Sequence, residues 1–187
     1  MKSFLTSILM VAMVINSFSQ EIEKSENEST PDPYYSHSVE TSPMSLLLNV
    51  YGVLYYYRFS LHNEIITGIN YSNLHYDFGN HNAPGMTIGY RRFLWKNLHF
   101  QYELWPAYDN FYEKNEDKHY KDFTLWNELR FGYQFNFKIK NQACYVSAQW
   151  PFGFFLVNGD KPKSYTDYEK DNRFFYQIPV LFIGLKF

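Results

Sequence analysis

Residues 122–137 carry the longest regular alternation of apolar and polar positions in the chain. Every second residue from Phe123 is apolar or aromatic except Asn127, whereas the set that begins at Thr124 is mostly polar. A helix repeats every ~3.6 residues and a strand every two, so this pattern predicts a β-strand. Ordinary strands have ~5–6 residues. This longer pattern favours a strand that crosses a bilayer at a tilt, which needs ~9–11 residues.

The same alternation recurs along the rest of the chain. It predicts strands over residues 45–58, 64–76, 85–94, 98–108, 122–137, 143–157 and 174–187. Single-chain bacterial barrels have an even number of strands, so the weaker alternation over 34–41 is interpreted as an eighth. In that case, residues 42–44 form an unusually short connection between the first two strands.

The predicted connections alternate in length. Short turns are expected near residues 60–63, 95–97 and 138–141, and longer polar loops at 77–84, 109–121 and 158–173. Outer-membrane barrels have short periplasmic turns and long extracellular loops. The alternation therefore favours a membrane barrel over a soluble one.

The first 33 residues do not share this pattern. Residues 1–19 have a basic start, a short apolar core and small residues before a cleavage point, which predicts a signal peptide. A single membrane anchor is the alternative. Residues 20–33 are rich in Glu, Ser, Asn and Pro, and are predicted to be a disordered acidic tether. The barrel domain is then 34–187.

Composition agrees with a membrane location. Aromatic residues make up 21% of the chain, with 18 Tyr and 18 Phe, which is typical of lipid-facing walls. The mean hydropathy of -0.43 does not argue against this, because barrel strands alternate polar and apolar positions. The net charge of -2 makes nucleic acid an unexpected partner. Cys144 is the single cysteine, which excludes an internal disulfide, and it is predicted to face outward.

The chain ends on a strand with Leu181, Ile183, Leu185 and Phe187 on one face. This row resembles the terminal signal that the outer-membrane assembly machinery recognises. With the leader, the alternation and the loop lengths, residues 44–187 resemble the small eight-stranded outer-membrane β-barrel families. The resemblance implies an all-β, closed, antiparallel, up-and-down transmembrane barrel of about eight strands. It also implies signal-dependent export to the bacterial outer membrane, with lipid, lipopolysaccharide and the barrel assembly machinery as partners.

If the aromatic face meets lipid, the polar face lines the lumen. The predicted lumenal network consists of Arg91, His99, Gln101, Glu103, Glu128 and Arg130. Other lumenal residues are Trp126, Gln134, Tyr145, Ser147 and Gln149. Buried charges of opposite sign are expected to pair, and barrels of about eight strands are narrow enough for side chains to fill.

The expected function is therefore a structural or porin-like envelope component with a largely filled lumen. One alternative is an outer-membrane enzyme that modifies lipid A or phospholipid, but a triple such as His99, Ser147 and Glu103 arises easily by chance, and no catalytic residue is predicted. The other is a secreted lipocalin-like carrier with its apolar faces turned inward. No cofactor or metal site is expected, and the sequence leaves the oligomeric state open.

Overall fold

The computed structural model describes residues 35–172 and 178–187, which belong to one compact unit that begins at Tyr35. The predicted signal peptide (1–19) and acidic tether (20–33) lie outside the described residues. Eight antiparallel strands form a closed ring, and they are joined by two short helices within the described part of the chain. The all-β prediction with eight strands is therefore confirmed.

The strands follow one another around the ring in sequence order, and β1 closes it by pairing with β8. Their bounds are β1 His37–Thr41, β2 Val50–Ser60, β3 Asn63–Tyr76, β4 Gly79–Trp95, β5 Leu98–Glu113, β6 Lys118–Ile139, β7 Gln142–Val157 and β8 Val180–Lys186. The helices are α1 Pro43–Leu47 and α2 Lys163–Asp171. The wall is uneven, because β1 has 5 residues and β8 has 7, whereas β6 has 22.

The two ends of the ring differ in their connections. The short-turn end carries the two-residue turns 61–62, 96–97 and 140–141, where short turns were predicted. Lys96 and Lys140 adopt φ angles of 49° and 56° in two of these turns, a left-handed conformation that tight hairpins require. The opposite end, called the long-loop end here, carries the connections after β1, β3, β5 and β7.

Two of the predicted long loops are wrong. Pairing of β3 with β4 continues to Tyr76 and Gly79, so the turn consists of residues 77–78 alone. Pairing of β5 with β6 likewise continues to Glu113 and Lys118. Both segments carry polar residues on both faces, and alternation disappears from a strand when neither face is uniformly apolar. The predicted loop at 158–173 contains α2.

The predicted strand at 45–58 begins later than expected, because α1 occupies its first residues. Pro43 starts the helix, where its missing N–H is not needed. Ser42 caps it by accepting from the Ser45 amide at 3.1 Å, and the same hydroxyl donates to the Leu181 carbonyl at 2.8 Å. The connection from β1 to β2 therefore runs from 42 to 49 and not from 42 to 44. Neither helix in the described residues is long and apolar enough to cross a membrane.

Side chains alternate between the two faces of the ring. On the outer face, Ile69 is 68% exposed and Trp95 is 65% exposed. The inner face is polar over most of the ring, with Arg91 and Gln101 fully buried. An apolar patch interrupts it beside α1, where Met44 packs on Leu54, Tyr56, Ile66, Val180 and Phe182. The outer face of the ring is thus mainly apolar and exposed, and the inner face is mainly polar and buried.

Candidate functional site in the polar interior

The structure places all six predicted lumenal residues inside the ring. Each is 6% exposed or less, and four of them are fully buried. The other inward predictions are also inward, although the indole of Trp126 is only half-buried. Five of the six belong to one hydrogen-bonded network, and His99 lies apart from it, with Nδ1 3.3 Å from the Asn97 carbonyl oxygen.

Arg91 on β4 is the centre of one half of this network. Its Nη2 atom lies 3.1 Å from Oε2 of Glu40 on β1, and its Nη1 atom lies 3.5 Å from Oε2 of Glu64 on β3. The guanidinium also donates to the Tyr56 hydroxyl at 2.9 Å and to Oε1 of Gln101 at 2.5 Å. A buried charge without a partner costs several kcal/mol, so Arg91 and the two carboxylates compensate one another.

Arg130 on β6 is the centre of the other half. Glu103 and Glu128 lie directly opposite each other across β5 and β6, where two carboxylates would repel. Arg130 joins them, because its Nη2 lies 3.2 Å from Glu103 Oε2 and its Nε contacts Glu128 Oε1. The indoles of Trp105 and Trp126 donate to Glu103 and Glu128 at 2.7 Å and 3.1 Å. Each carboxylate therefore has an ionic partner and a neutral donor.

Gln101 links the two halves. Its Oε1 accepts from Arg91, and its Nε2 donates to Oε1 of Glu103. On β7, Gln149 donates to Glu40 at 3.2 Å, and on β8 the Phe182 ring centroid lies 4.8 Å from the Arg130 guanidinium carbon. Every strand of the ring thus contributes a side chain to this buried group.

The lumenal triple considered for catalysis is not assembled. Ser147 accepts from Gln149 at 3.2 Å, and Glu103 is engaged by Gln101, Trp105 and Arg130. The part of the chain that the structure describes also contains no group of three His, Cys, Asp or Glu side chains arranged to hold a metal ion.

A second buried polar cluster lies at the long-loop end, beneath the connection that carries α2. Lys161 makes an ion pair with Oδ2 of Asp109 on β5. Nε2 of His81 on β4 lies 2.8 Å from the other carboxylate oxygen, Oδ1. The Ser164 hydroxyl donates to Oε2 of Glu113 at 2.5 Å. The Lys161 and Ser164 contacts hold the segment 161–171, which contains α2, against the inner face of β5, and we call this segment the cap.

Aromatic packing completes the cap. The Tyr165 ring on α2 lies 5.2 Å from the Phe111 ring and 5.8 Å from the Tyr76 ring, both edge-on. Burial raises the pKa of the Tyr165 phenol above its usual range, and Tyr76 and Glu169 add to this shift. Burial also lowers the pKa of the Lys161 ammonium to about 8, although Glu169 partly opposes this by favouring the charged form.

The cap was not predicted, because its residues and their partners at 81, 109 and 113 lie in segments interpreted as loops. His81 and Glu113 fall in the polar loops predicted at 77–84 and 109–121, but both lie on strands and their side chains are at least nine-tenths buried. Continuing the alternate set from Asp109 through Phe111 to Glu113 would have put all three on the inner face. The other omissions are Glu40, Tyr56 and Glu64, whose role depends on contacts between strands distant in sequence.

The residues predicted as an assembly signal lie on the outer face of β8. Ile183, Leu185 and Phe187 are about half exposed, and Leu181 is partly exposed. Cys144 pairs with Leu185 across β7 and β8, and so points outward as predicted, but it is only 6% exposed because its neighbours cover it.

Comparison of the chain with protein-family models, with curated proteins and with solved structures finds no match. The functional conclusion therefore depends on the geometry alone.

Proposed function

We propose that this chain is an integral β-barrel protein of the bacterial outer membrane, with a structural role in the envelope and a filled lumen. The observation that carries the proposal is the reversed distribution of polarity. A water-soluble domain buries its apolar side chains and exposes its polar ones, whereas this ring does the opposite over most of its wall.

The outer face is mainly apolar along the middle of every strand longer than seven residues. Burying one large apolar side chain stabilises a protein by about 1.5–3 kcal/mol. If the outer face were in water, its many exposed apolar side chains would contribute none of this stabilisation. A contiguous exposed apolar surface marks a contact with membrane or protein. Residues of this surface include Val53, Tyr55, Ile65, Ile69, Met86, Ile88, Tyr102, Tyr108, Phe123, Phe131, Phe135, Trp150 and Phe152.

The packed interior supports a structural role over that of a general porin. Rings of about eight strands enclose little more space than their side chains fill. Here the Arg91 and Arg130 groups meet through Gln101, and residues of all eight strands touch them. The cap adds a second closure at the long-loop end.

The two alternatives gain less support. A lipocalin-like carrier needs an apolar interior for its ligand, and the described interior is mainly charged and hydrogen-bonded. A lipid-modifying enzyme needs a nucleophile beside a base, and within the described residues no serine hydroxyl is hydrogen-bonded to a histidine. Assay of acyl release from lipopolysaccharide tests the enzyme directly.

The proposal includes the route to the membrane. The outward row of Leu181, Ile183, Leu185 and Phe187 is the segment that the assembly machinery reads, and outer-membrane lipid and lipopolysaccharide surround the folded ring. Phe187→Ser should lower the amount assembled in cells, with little effect on refolding into pure lipid vesicles. Equal losses in both settings would make Phe187 a stability residue and remove it from the assembly signal.

The decisive experiment is electrophoresis of envelope-extracted protein in SDS, with boiled and unboiled samples compared. A closed membrane barrel resists SDS at room temperature, so we expect its mobility to shift on boiling. Planar-bilayer recordings of the unboiled protein should show no steady conductance. Recovery of the protein in a soluble fraction, with no shift, would refute the membrane proposal. A stable open pore would refute the filled lumen alone.

A further inference from the structure

The charged residues are sorted along the axis of the ring. Inside it lie four glutamates and four basic residues, namely Glu40, Glu64, Glu103, Glu128, Arg58, Arg91, Arg130 and Lys186, and the three arginines are ion-paired with the glutamates. All other acidic side chains that the structure describes lie at the long-loop end, between Asp77 and Asp171, together with several lysines. The short-turn end carries Arg92, Lys96, Lys138 and Lys140, and within the described residues it has no unpaired acidic side chain.

These four cations have no ionic partner in the described chain. No carboxylate side chain of residues 35–172 or 178–187 lies within 4.0 Å of their nitrogens. All four are exposed. Lys96 and Lys140 occupy the tips of neighbouring hairpins, so their like charges are concentrated at one end of the molecule. Such a cluster favours a partner that supplies negative charge.

Large apolar side chains stand beside the cations. Trp95 is 65% exposed, Ile139 is 55% exposed and Leu94 is 52% exposed. The Lys96 ammonium lies 4.8 Å from the centroid of the Trp95 ring. Tryptophan beside lysine is the combination found where a membrane protein passes from hydrocarbon to headgroups, because the indole sits at the interface and the amine reaches the phosphates.

We propose that the short-turn end is a docking surface for the phosphate headgroups of anionic phospholipid in the adjacent leaflet. The inference rests on the proposed function, since it needs the ring to span the bilayer. Each lysine or arginine near an anionic lipid surface raises the equilibrium constant for association with that surface about fivefold. Three or four such cations therefore give an effect that is readily measured.

The test uses the protein refolded into phosphatidylcholine vesicles with and without phosphatidylglycerol. The variant Arg92→Gln/Lys96→Gln/Lys140→Gln removes three outward cations. In urea titrations, phosphatidylglycerol should raise the folding equilibrium constant of the wild type, and the triple variant should lose on the order of a hundredfold of that gain. High salt should reduce the gain, because it screens exposed charges.

The matched control is Lys114→Gln/Lys118→Gln/Lys163→Gln, which removes three exposed lysines from the long-loop end. It should keep most of the wild-type gain, and free inorganic phosphate should not replace the lipid. An equal loss in both triple variants would overturn the site, since the effect would then follow net charge alone. No response of the wild type would overturn the lipid assignment in favour of an acidic protein.

The outcome is separable from that of the proposed function. If the wild type and both variants refold equally well into pure phosphatidylcholine, the barrel proposal stands, and any difference with phosphatidylglycerol concerns the docking surface. If none of them enters vesicles, the barrel proposal itself fails.

Discussion

Replacing Ile69 with lysine distinguishes a membrane wall from a soluble one at a single residue. Ile69 lies on the outer face of β3 with 68% of its surface exposed, between Val53 and Met86 on the neighbouring strands. Those two side chains are also exposed and apolar. In water, a substitution at such a position typically changes stability by less than about 0.5 kcal/mol. At the bilayer midplane, lysine costs about 2–4 kcal/mol, which is roughly a 30-fold to 1,000-fold loss in the folding equilibrium constant.

The assay is urea titration of the refolded protein in neutral lipid vesicles, followed by tryptophan fluorescence. His75→Lys is the matched control, because His75 lies on the same strand and the same face but opposite Asn80, next to the 77–78 turn. We expect a loss of about 2–4 kcal/mol in the free energy of unfolding for the first variant and less than about 0.5 kcal/mol for the second. Equal stability of the two variants, or a folded Ile69→Lys protein in plain buffer, would refute the membrane assignment.

Three further predictions concern the interior, the wall and the cap. Arg91→Met removes the ionic partner of Glu40 and one of the two ionic partners of Glu64, and should lower the free energy of unfolding by about 3–5 kcal/mol in the same titration, whereas Arg92→Met on the outer face should not lower it. Gly184→Ala forces a methyl group against the ring of Tyr145, which faces it on β7, and should cost about 1–3 kcal/mol, while Gly52→Ala, with its nearest atom at 3.6 Å, should be close to neutral. Tyr165→Ala should speed amide hydrogen exchange in α2, measured by mass spectrometry, and leave exchange in the ring unchanged; equal exchange in α2 would mean that the aromatic contacts do not hold it.

Alternation was sufficient to predict which face of each strand is apolar, because a two-residue period is a local property of the sequence. It predicted the inward positions of Arg91, Glu103 and Arg130 without any knowledge of the ring. It failed where both faces of a strand are polar, as in the hairpins that carry His81 and Glu113. There the inward side chains contact the cap, which comes from a distant part of the chain and supplies both polar and aromatic partners.

The start of β2 shows a different limit. Residues 44–50 are mainly apolar, and a short apolar run does not distinguish a strand from a helix. The helix begins here because Ser42 caps its N-terminus and Pro43 suits its first position, and neither effect is visible in the amino-acid composition. The pairing of Glu40 with Arg91 was also inaccessible, because it depends on how β1 closes the ring and on the stagger between strands.

The buried charges are best understood as determinants of register. Ion pairs in an interior are weak evidence for net stability, because desolvation offsets most of their attraction. A one-residue slip of β1, however, would turn Glu40 to the outer face and Val39 or Thr41 inward, leaving Tyr56, Arg91 and Gln149 without their shared carboxylate. The register of β1 depends most on such contacts, because β1 has only 5 residues and pairs with β8 through four residue pairs. With Tyr56, Arg91 and Gln149 all bound to its carboxylate, Glu40 selects the one register in which the ring closes.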